Sequence, residues 1–210
     1  MLDWIRDNYA IISVLINLGM LIVWIVYLQL FLLSYKRGTR PKILINVGGG
    51  RGLDAMCLLS NMSSEGVYVE SIIATLYSKD KQWVCPVTDV ETLTQDDDPP
   101  NPLAKTRQGP LEPGEVRDVG SFRNLIRHVL EEAGGCDESH DEVPDGISAF
   151  EIHAIADFGP DDLLVGAKRQ FDLDKHDGEW VLKPQSPFTV QIRSRRERQR
   201  INRMLEELDS

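Results

Sequence analysis

One long uncharged segment near the N-terminus constrains this chain more than any other feature. No residue from 8 to 35 carries a formal charge, and the run from Ile11 to Leu33 reads IISVLINLGMLIVWIVYLQLFLL. A helix needs about 20 apolar residues to cross the roughly 30 Å hydrocarbon layer of a membrane. A cleaved signal peptide would need a basic start, a shorter apolar core and a small-residue cleavage site, and the segment has none of these. We therefore predict a transmembrane helix over 10–35.

The charges on either side of this segment predict its orientation. The tail over 1–9 has a net charge of −1, whereas the segment over 36–42 carries four cations and no anion. Lys and Arg are retained on the cytoplasmic side, while short tails without an excess of them cross readily. The pattern predicts a single-pass bacterial inner-membrane protein with a short non-cytoplasmic N-terminal tail, a basic juxtamembrane segment and a cytoplasmic C-terminal domain. The odd, widely spaced cysteines Cys57, Cys85 and Cys136 favour reduced thiols, which agrees with a cytoplasmic location.

Three polar or small residues interrupt the apolar segment: Asn17, Gly19 and Gln29. Amide side chains bond across helices in a membrane, and small residues let two helices approach closely. We therefore predict that these residues pack against a partner helix. In the alternative interpretation, Gln29 reaches towards the basic end of the helix and Asn17 is tolerated.

The remainder of the chain is strongly acidic. The total formal charge is −10, so the residues after Lys42 sum to −13 once the tail and the basic segment are set aside. Such a surface repels nucleic-acid phosphates unless a local basic patch overrides it. DNA is therefore excluded as a partner, and RNA is disfavoured.

Short runs of β-branched and aromatic residues predict a mainly-β domain over 43–192. We expect strands at Lys42–Val47, Val67–Tyr77, Trp83–Val87, Ile147–Phe158, Leu163–Leu173, 180–182 and Phe188–Ile192. A helix is predicted over Phe122–Ala133, where apolar residues follow the spacing of one helix face and Gly134 marks the end. Seven or eight strands in near succession favour an antiparallel, immunoglobulin-like sandwich over a parallel sheet.

Two acidic segments interrupt this pattern. Residues 89–109 contain the run DDDPPNP, and 136–146 are rich in Asp and Glu. Both lack the apolar residues that a packed element needs, so they are predicted to be loops. Cys136 and His140 in the second loop have no paired metal-ligand spacing around them, so no metal site is predicted.

A glycine cluster follows the first predicted strand. The stretch from Ile45 to Gly52 reads INVGGGRG, with Gly48, Gly50 and Gly52 in alternate positions. It resembles the first motif of the class I S-adenosylmethionine methyltransferases, hydrophobic-acidic-hydrophobic-Gly-x-Gly-x-Gly. The resemblance implies a cofactor site at these glycines, with Glu70 near the position of the carboxylate that holds the ribose hydroxyls.

A glycine run also occurs wherever a backbone needs positive φ or close packing. Asn46 stands where the family has an acidic residue, and no series of crossover helices follows Tyr77. We therefore favour a structural turn and predict no cofactor. A membrane-tethered S-adenosylmethionine- or nucleotide-binding enzyme is the alternative.

An arginine-rich amphipathic helix is predicted over 193–210. Its arginines are Arg193, Arg195, Arg196, Arg198, Arg200 and Arg203, and one apolar stripe contains Ile201, Met204, Leu205 and Leu208. Cations at the start of a helix oppose its macrodipole, so we expect an anionic surface nearby. The membrane, a partner or the domain's own acidic loops could supply it, and a solvated basic face is the simpler alternative.

No nucleophile paired with a base is indicated by local sequence, so enzymatic activity is not predicted. The chain is expected to be an interaction or scaffolding module. Its expected partners are membrane lipid and a protein that binds the transmembrane helix or the cytoplasmic domain.

Overall fold

The computed structural model describes residues 8–38, 40–79, 81–87, 106–133, 144, 146–159, 164–176, 178–192 and 194–208. The chain forms two compact units, Met1–Arg40 and Pro41–Ser210.

The first unit is one long helix, α1, over Tyr9–Gly38. Its stretch Tyr9–Tyr35 spans 27 residues and is long and apolar enough to cross a membrane, and no residue of its most apolar window is buried within the structure. Apolar side chains project from every side of this helix, so it has no polar face. The predicted apolar N-terminal helix is thus confirmed as a helix.

The second unit is mostly β-structure. Within the described residues it contains the strands β1 (Ile43–Gly48), β2 (Met56–Asn61), β3 (Val67–Ser78), β4 (Gln82–Pro86), β5 (Gly109–Leu111), β6 (Val116–Ser121), β7 (Ile147–Asp157), β8 (Val165–His176), β9 (Glu179–Pro184) and β10 (Val190–Ile192). Two helices accompany them, α2 (Phe122–Glu132) and α3 (Arg195–Leu208).

The strands form two antiparallel sheets. The small sheet has the order β1-β2-β6, and the large sheet has seven strands with the central order β10-β8-β7-β3-β4. The two remaining strands of the large sheet, β5 and β9, pair with β3 and β8. Neighbours along the chain pair in β1-β2, β3-β4, β7-β8 and β8-β9, so much of the topology consists of hairpins.

Helix α2 follows directly from the end of β6. The Ser121 side chain caps it by accepting a hydrogen bond from the Asn124 N–H at 3.3 Å, which satisfies one of the free N–H groups of a first helical turn. The buried face contains Phe122, Leu125, Ile126, Val129 and Leu130. This is the helix that the apolar spacing predicts.

One apolar core joins the two sheets and α2. Inward side chains alternate along the strands, among them Ile43 and Ile45 of β1, Leu59 of β2, Ile72 and Leu76 of β3 and Phe150 of β7. At its centre, Phe122 meets Phe150 and Phe171 edge to face, with ring centroids 5.7 and 5.0 Å apart. Aromatic pairs prefer this geometry.

A second, smaller cluster lies on the opposite face of the large sheet. It consists of Ile73, Ile155 and Ile192 from three strands and Ile201 from α3. Helix α3 therefore packs on the domain, with Ile201 only 6% exposed. The large sheet is consequently covered on one face by the small sheet and α2, and partly on the other by α3.

The prediction of a mostly-β domain with one internal and one C-terminal helix is confirmed. The predicted immunoglobulin-like class stays a prediction, since the larger sheet has seven strands, whereas constant-type immunoglobulin sheets have four and three. Residues 56–61, for which the sequence pattern indicated no element, form the central strand of the small sheet. The predicted loop over 89–109 ends in strand β5 at Gly109, and most of that loop and of the loop over 136–146 lies outside the described residues.

Candidate functional site

A group of charged and polar side chains occupies the outer face of the large sheet beneath α3. Tyr77, Glu151, His153 and Lys168 form it, and we call it the outer-face cluster. Strand alternation brings them together, because Glu151 and His153 are two residues apart on β7, and His153 lies directly opposite Lys168 on β8.

Glu151 is the centre of the cluster. One of its oxygens, Oε1, lies 2.9 Å from His153 Nε2 and accepts a hydrogen bond from the Tyr77 hydroxyl at 3.1 Å. The other, Oε2, lies 3.5 Å from Lys168 Nζ. The side chain is only 8% exposed, so these contacts replace the water that a carboxylate would otherwise keep.

The environment shifts two pKa values in opposite directions. Burial by itself raises the pKa of Glu151, but the imidazole of His153, the ammonium of Lys168 and the hydroxyl of Tyr77 together hold it below its usual value. Burial, with the neighbouring charge and hydrogen bond of Glu151, raises the pKa of Tyr77 to about 12. Glu151 therefore stays charged and Tyr77 stays neutral across the physiological range.

Helix α3 partly covers this cluster. Glu197, Arg200 and Ile201 of the helix line a cavity of about 260 Å³ together with residues of the outer face. A carboxylate in contact with an imidazole is an arrangement that general acid-base catalysis uses. Here the carboxylate also contacts Lys168 and Tyr77, so its negative charge is balanced beneath α3.

The sequence analysis missed this cluster, although a signal for it exists. The strand β7 reads ISAFEIHAIAD, and Glu151 and His153 are the two polar residues in its buried middle. Their i, i+2 spacing places them on one face of a strand. His153 Nδ1 is buried without a hydrogen-bond partner among the described residues.

The glycine cluster forms the turn region between β1 and β2. Gly49 and Gly50 have positive φ angles, +78° and +143°, which side-chain-bearing residues rarely adopt. Gly48 ends β1, where a Cβ atom would lie 2.8 Å from Leu58 Cδ1. These glycines thus have a structural reason to be present, as the sequence analysis favoured.

A second cavity, of about 660 Å³, opens beside this turn, and we call it the glycine-loop cleft. Its lining residues come from β1, the turn, β8 and β9: Asn46, Val47, Gly50, Arg51, Arg169, Asp174, Val181, Leu182, Lys183 and Pro184. The turn is fixed to β9, because the Leu182 N–H donates to the Arg51 carbonyl at 2.7 Å and Gly52 forms a bridge with Val181.

The methyltransferase-like fold is wrong for this chain. In that motif the glycines join a strand to a helix within a parallel sheet, whereas here they are followed by β2, antiparallel to β1. Glu70 lies on β3 in the other sheet and is not among the residues that line the cleft. Of the residues predicted for that cofactor site, only Gly50 lines the cleft.

The arginines of the C-terminal segment differ in how far they are exposed. Arg198 is 9% exposed on the side of α3 that faces the domain, whereas Arg196, Arg200 and Arg203 are exposed. Arg193 and the side chain of Arg195 lie outside the described part of the chain. The acidic Glu197 in the first turn accepts a hydrogen bond from the Ser194 hydroxyl at 2.6 Å and offsets some of the positive charge at the helix start. The role of these arginines at a membrane surface or partner stays a prediction.

The predicted packing residues of the apolar helix are all exposed. At about 100° per residue, Gly19 lies about 200° and Gln29 about 120° around the helix from Asn17. A helix that meets one partner buries a single stripe of residues. These three residues are spread around the helix, so they do not form one common face. Their packing against a partner stays a prediction.

The described residues contain neither a reactive thiol nor a cluster of metal ligands. Cys57 and Cys85 are buried and unpaired, and burial raises the pKa of Cys57 to about 12 and that of Cys85 to about 11. Such thiols are unreactive near neutral pH. No group of three or more His, Cys, Asp or Glu side chains that could hold a metal ion occurs in the described ranges.

Comparison with protein-family models, curated proteins and solved structures found no match. The fold and the two cavities define the class only as a mostly-β domain that follows an apolar N-terminal helix.

Proposed function

We propose that this chain is a single-pass bacterial inner-membrane protein whose mostly-β domain acts in the cytoplasm as an interaction or scaffolding module. The observation that carries the proposal is α1, whose 27-residue apolar stretch has no buried residue in its most apolar window. Exposed apolar surface costs about 25 cal/mol per Å² in water. Insertion into a bilayer removes that cost.

Charge supports the proposed orientation. The four cations in 36–42 follow the apolar stretch, and the tail before it has a net charge of −1. Basic flanks remain on the cytoplasmic side and gain about 1 kcal/mol per residue near anionic lipid. The β-domain is then cytoplasmic.

Two apolar side chains on the domain support a protein-binding role. Phe188 is 76% exposed just before β10, and Val190 in β10 is 48% exposed. Exposed aromatic residues are frequent anchors of protein interfaces.

Two antiparallel sheets around a shared core also support a sandwich architecture, of which the immunoglobulin-like class is one form used in interaction modules.

A topology reporter tests the membrane part of the proposal. A reporter fused after Ser210 should be active in its cytoplasmic form and inactive in its periplasmic form. Reversal of four cations to glutamate at Lys36, Arg37, Arg40 and Lys42 should weaken this preference. Periplasmic activity of the unaltered fusion would contradict the proposed orientation.

Site-specific crosslinking tests the interaction part. A photoreactive amino acid at position 188 should give a discrete crosslinked species in membranes, because a partner would cover this side chain. The matched control is position 116, where Val116 on β6 is also exposed. The same pattern at both positions, or no adduct at 188, would contradict a specific interface at Phe188.

The alternative, a membrane-tethered S-adenosylmethionine- or nucleotide-binding enzyme, has one supporting observation, the cleft at the glycine loop. A ligand that binds the native state raises its melting temperature. We expect no saturable shift with S-adenosylmethionine. A shift that is lost in Gly50→Val but kept in Glu70→Ala, whose residue does not line the cleft, would favour the enzyme over the interaction module.

A further inference from the structure

The glycine-loop cleft has a charge opposite to that of the chain around it. Three cations line it, Arg51, Arg169 and Lys183, against the single anion Asp174. All residues after Lys42, these four included, sum to −13. A concave site lined by one sign of charge concentrates ions of the other sign.

Arg169 is the most constrained of the three cations. The contacts described for its guanidinium are with neutral groups: Nη1 donates to the Ile45 carbonyl and to Asn46 Oδ1, and the group lies 5.5 Å from the centre of the Phe171 ring. Its Nε is buried without a hydrogen-bond partner among the described residues. Burial lowers the pKa of this arginine. A partly buried cation without an anion is unfavourable, and a bound anion would remove that penalty.

The turn leaves backbone open beside these cations. A Cβ atom built on Gly49 or Gly50 would meet no atom within 4 Å, so the space that a side chain would fill at these two positions is open. Backbone N–H groups in glycine-rich turns are frequent phosphate ligands. The bonds from Arg51 and Gly52 to β9 hold this turn in place without a ligand.

The volume and the lining of the cleft indicate which kind of molecule would carry the bound anionic group. Its volume of about 660 Å³ falls in the range of about 300–1,000 Å³ that is usual for small-molecule sites. Val47, Val181 and Pro184 give it apolar walls beside the cations. We propose that the glycine-loop cleft binds a phosphate group carried by a small organic molecule, with Arg51, Arg169 and Lys183 as the anion ligands. This site is separate from the interaction surface at Phe188.

The test uses the full chain in micelles of a neutral detergent, titrated with inorganic pyrophosphate and with adenosine monophosphate by calorimetry. Saturable binding is expected. Arg51→Gln and Lys183→Gln should each weaken it about tenfold, since a hydrogen bond to a charged group has this magnitude. Both side chains are exposed, so these variants should keep the melting temperature of the ligand-free protein. The control is Lys81→Gln, an exposed cation in the β3-β4 turn, which should leave the affinity within twofold.

The phosphate could also belong to a lipid headgroup, and nanodiscs separate the two sources. If the ligand is soluble, binding of adenosine monophosphate should be the same in phosphatidylcholine discs and in discs that contain phosphatidylglycerol. If it is a headgroup, phosphatidylglycerol should raise the melting temperature and displace the nucleotide, and both effects should disappear in Arg51→Gln. Equal weakening in all three variants, or no response to pyrophosphate, nucleotide or phosphatidylglycerol, would overturn the proposal.

Discussion

The side-chain amide of Gln191 on β10 pairs with the main chain of Ile43 on β1. The Ile43 N–H donates to Gln191 Oε1 at 3.1 Å, and Gln191 Nε2 donates to the Ile43 carbonyl. Two residues further along β1, the Thr189 hydroxyl accepts from the Ile45 N–H at 2.9 Å and donates to the Ile45 carbonyl at 3.1 Å. Strand β1 is an edge of the small sheet, so these side chains satisfy main-chain groups that have no neighbouring strand. They also join the two sheets.

The first prediction concerns these side-chain bonds. Thr189→Val keeps the shape of the side chain but leaves the buried Ile45 N–H unpaired, so we expect a loss of about 1–3 kcal/mol in the free energy of unfolding. Gln191→Leu should cost less, because the Ile43 bond is only partly buried. Urea unfolding measures both. The control is Gln185→Leu, which removes an exposed bond to Asp172 and should change stability by less than about 0.5 kcal/mol. Equal costs in all three variants would contradict a special role for the β1 edge.

The second prediction concerns acid sensitivity. The Glu151 pKa lies below its usual value of 4.5 in the folded protein, so the group binds a proton more weakly in the folded than in the unfolded state. Its stabilising contribution is therefore present above the unfolded pKa and is lost as the pH falls from about 4.5 through the folded pKa.

Unfolding of the wild type and of Glu151→Gln between pH 7 and pH 3 tests this expectation. The stability difference between them should be largest near pH 7 and should shrink as the pH falls. Glu131→Gln, in an exposed i, i+4 pair with Arg127, is the control and should change stability by less than about 0.5 kcal/mol throughout. A difference that is independent of pH would show that Glu151 contributes through packing alone.

The third prediction concerns the glycine turn. Gly49→Ala should destabilise the domain by about 1–2 kcal/mol, because its φ of +78° strains any residue with a Cβ atom. Gly159→Ala is the matched control, since a Cβ atom there also meets no atom within 4 Å but the backbone is not in the left-handed region. Thermal unfolding compares the two. Equal melting temperatures would mean that the turn relaxes and that its conformation imposes no need for glycine.

The local pattern of apolar and charged residues was sufficient to predict the helices and most of the strands. The face of α2 is visible in five apolar residues within a single stretch of 11, and the apolar helix α1 is visible from its lack of charge. Short strands in which apolar and polar residues alternate only weakly were harder to predict. Residues 56–61 mix Met, Cys, Ser and Asn with leucine, and only their pairing with β1 and β6 makes them a strand.

The two candidate sites depended on contacts between distant residues, which a single sequence does not show. Arg169 and Gly50 both line the glycine-loop cleft, although they are separated by more than half of the chain. Glu151 and Tyr77 are brought together by the pairing of β7 with β3. Pairing in a sheet is decided by the whole hydrophobic pattern. The glycine run and the spacing of Glu151 and His153 therefore mark one part of each site, but not the residues from other strands that complete it.

The fourth prediction separates docking of α3 on the domain from a role at the membrane surface. Ile201 is 6% exposed and packs against Ile73, Ile155 and Ile192, so Ile201→Ala should lower the free energy of unfolding by about 2–3 kcal/mol, near the low end for buried isoleucine. Ile201→Val should cost about 1 kcal/mol. Gln199→Ala, at an exposed position of the same helix, should be close to neutral.

The exposed arginines of the same helix test the role at the membrane surface. Changing the exposed Arg196 and Arg203 to glutamine should leave the unfolding free energy within about 0.5 kcal/mol. If these arginines meet anionic lipid, the change should weaken sedimentation of the domain over 41–210 with phosphatidylglycerol vesicles, and the wild-type binding should itself fall as salt rises. Binding that is lost in Ile201→Ala but kept in the double arginine variant would contradict an electrostatic contact with lipid, because it would require the apolar face of α3 to leave the large sheet.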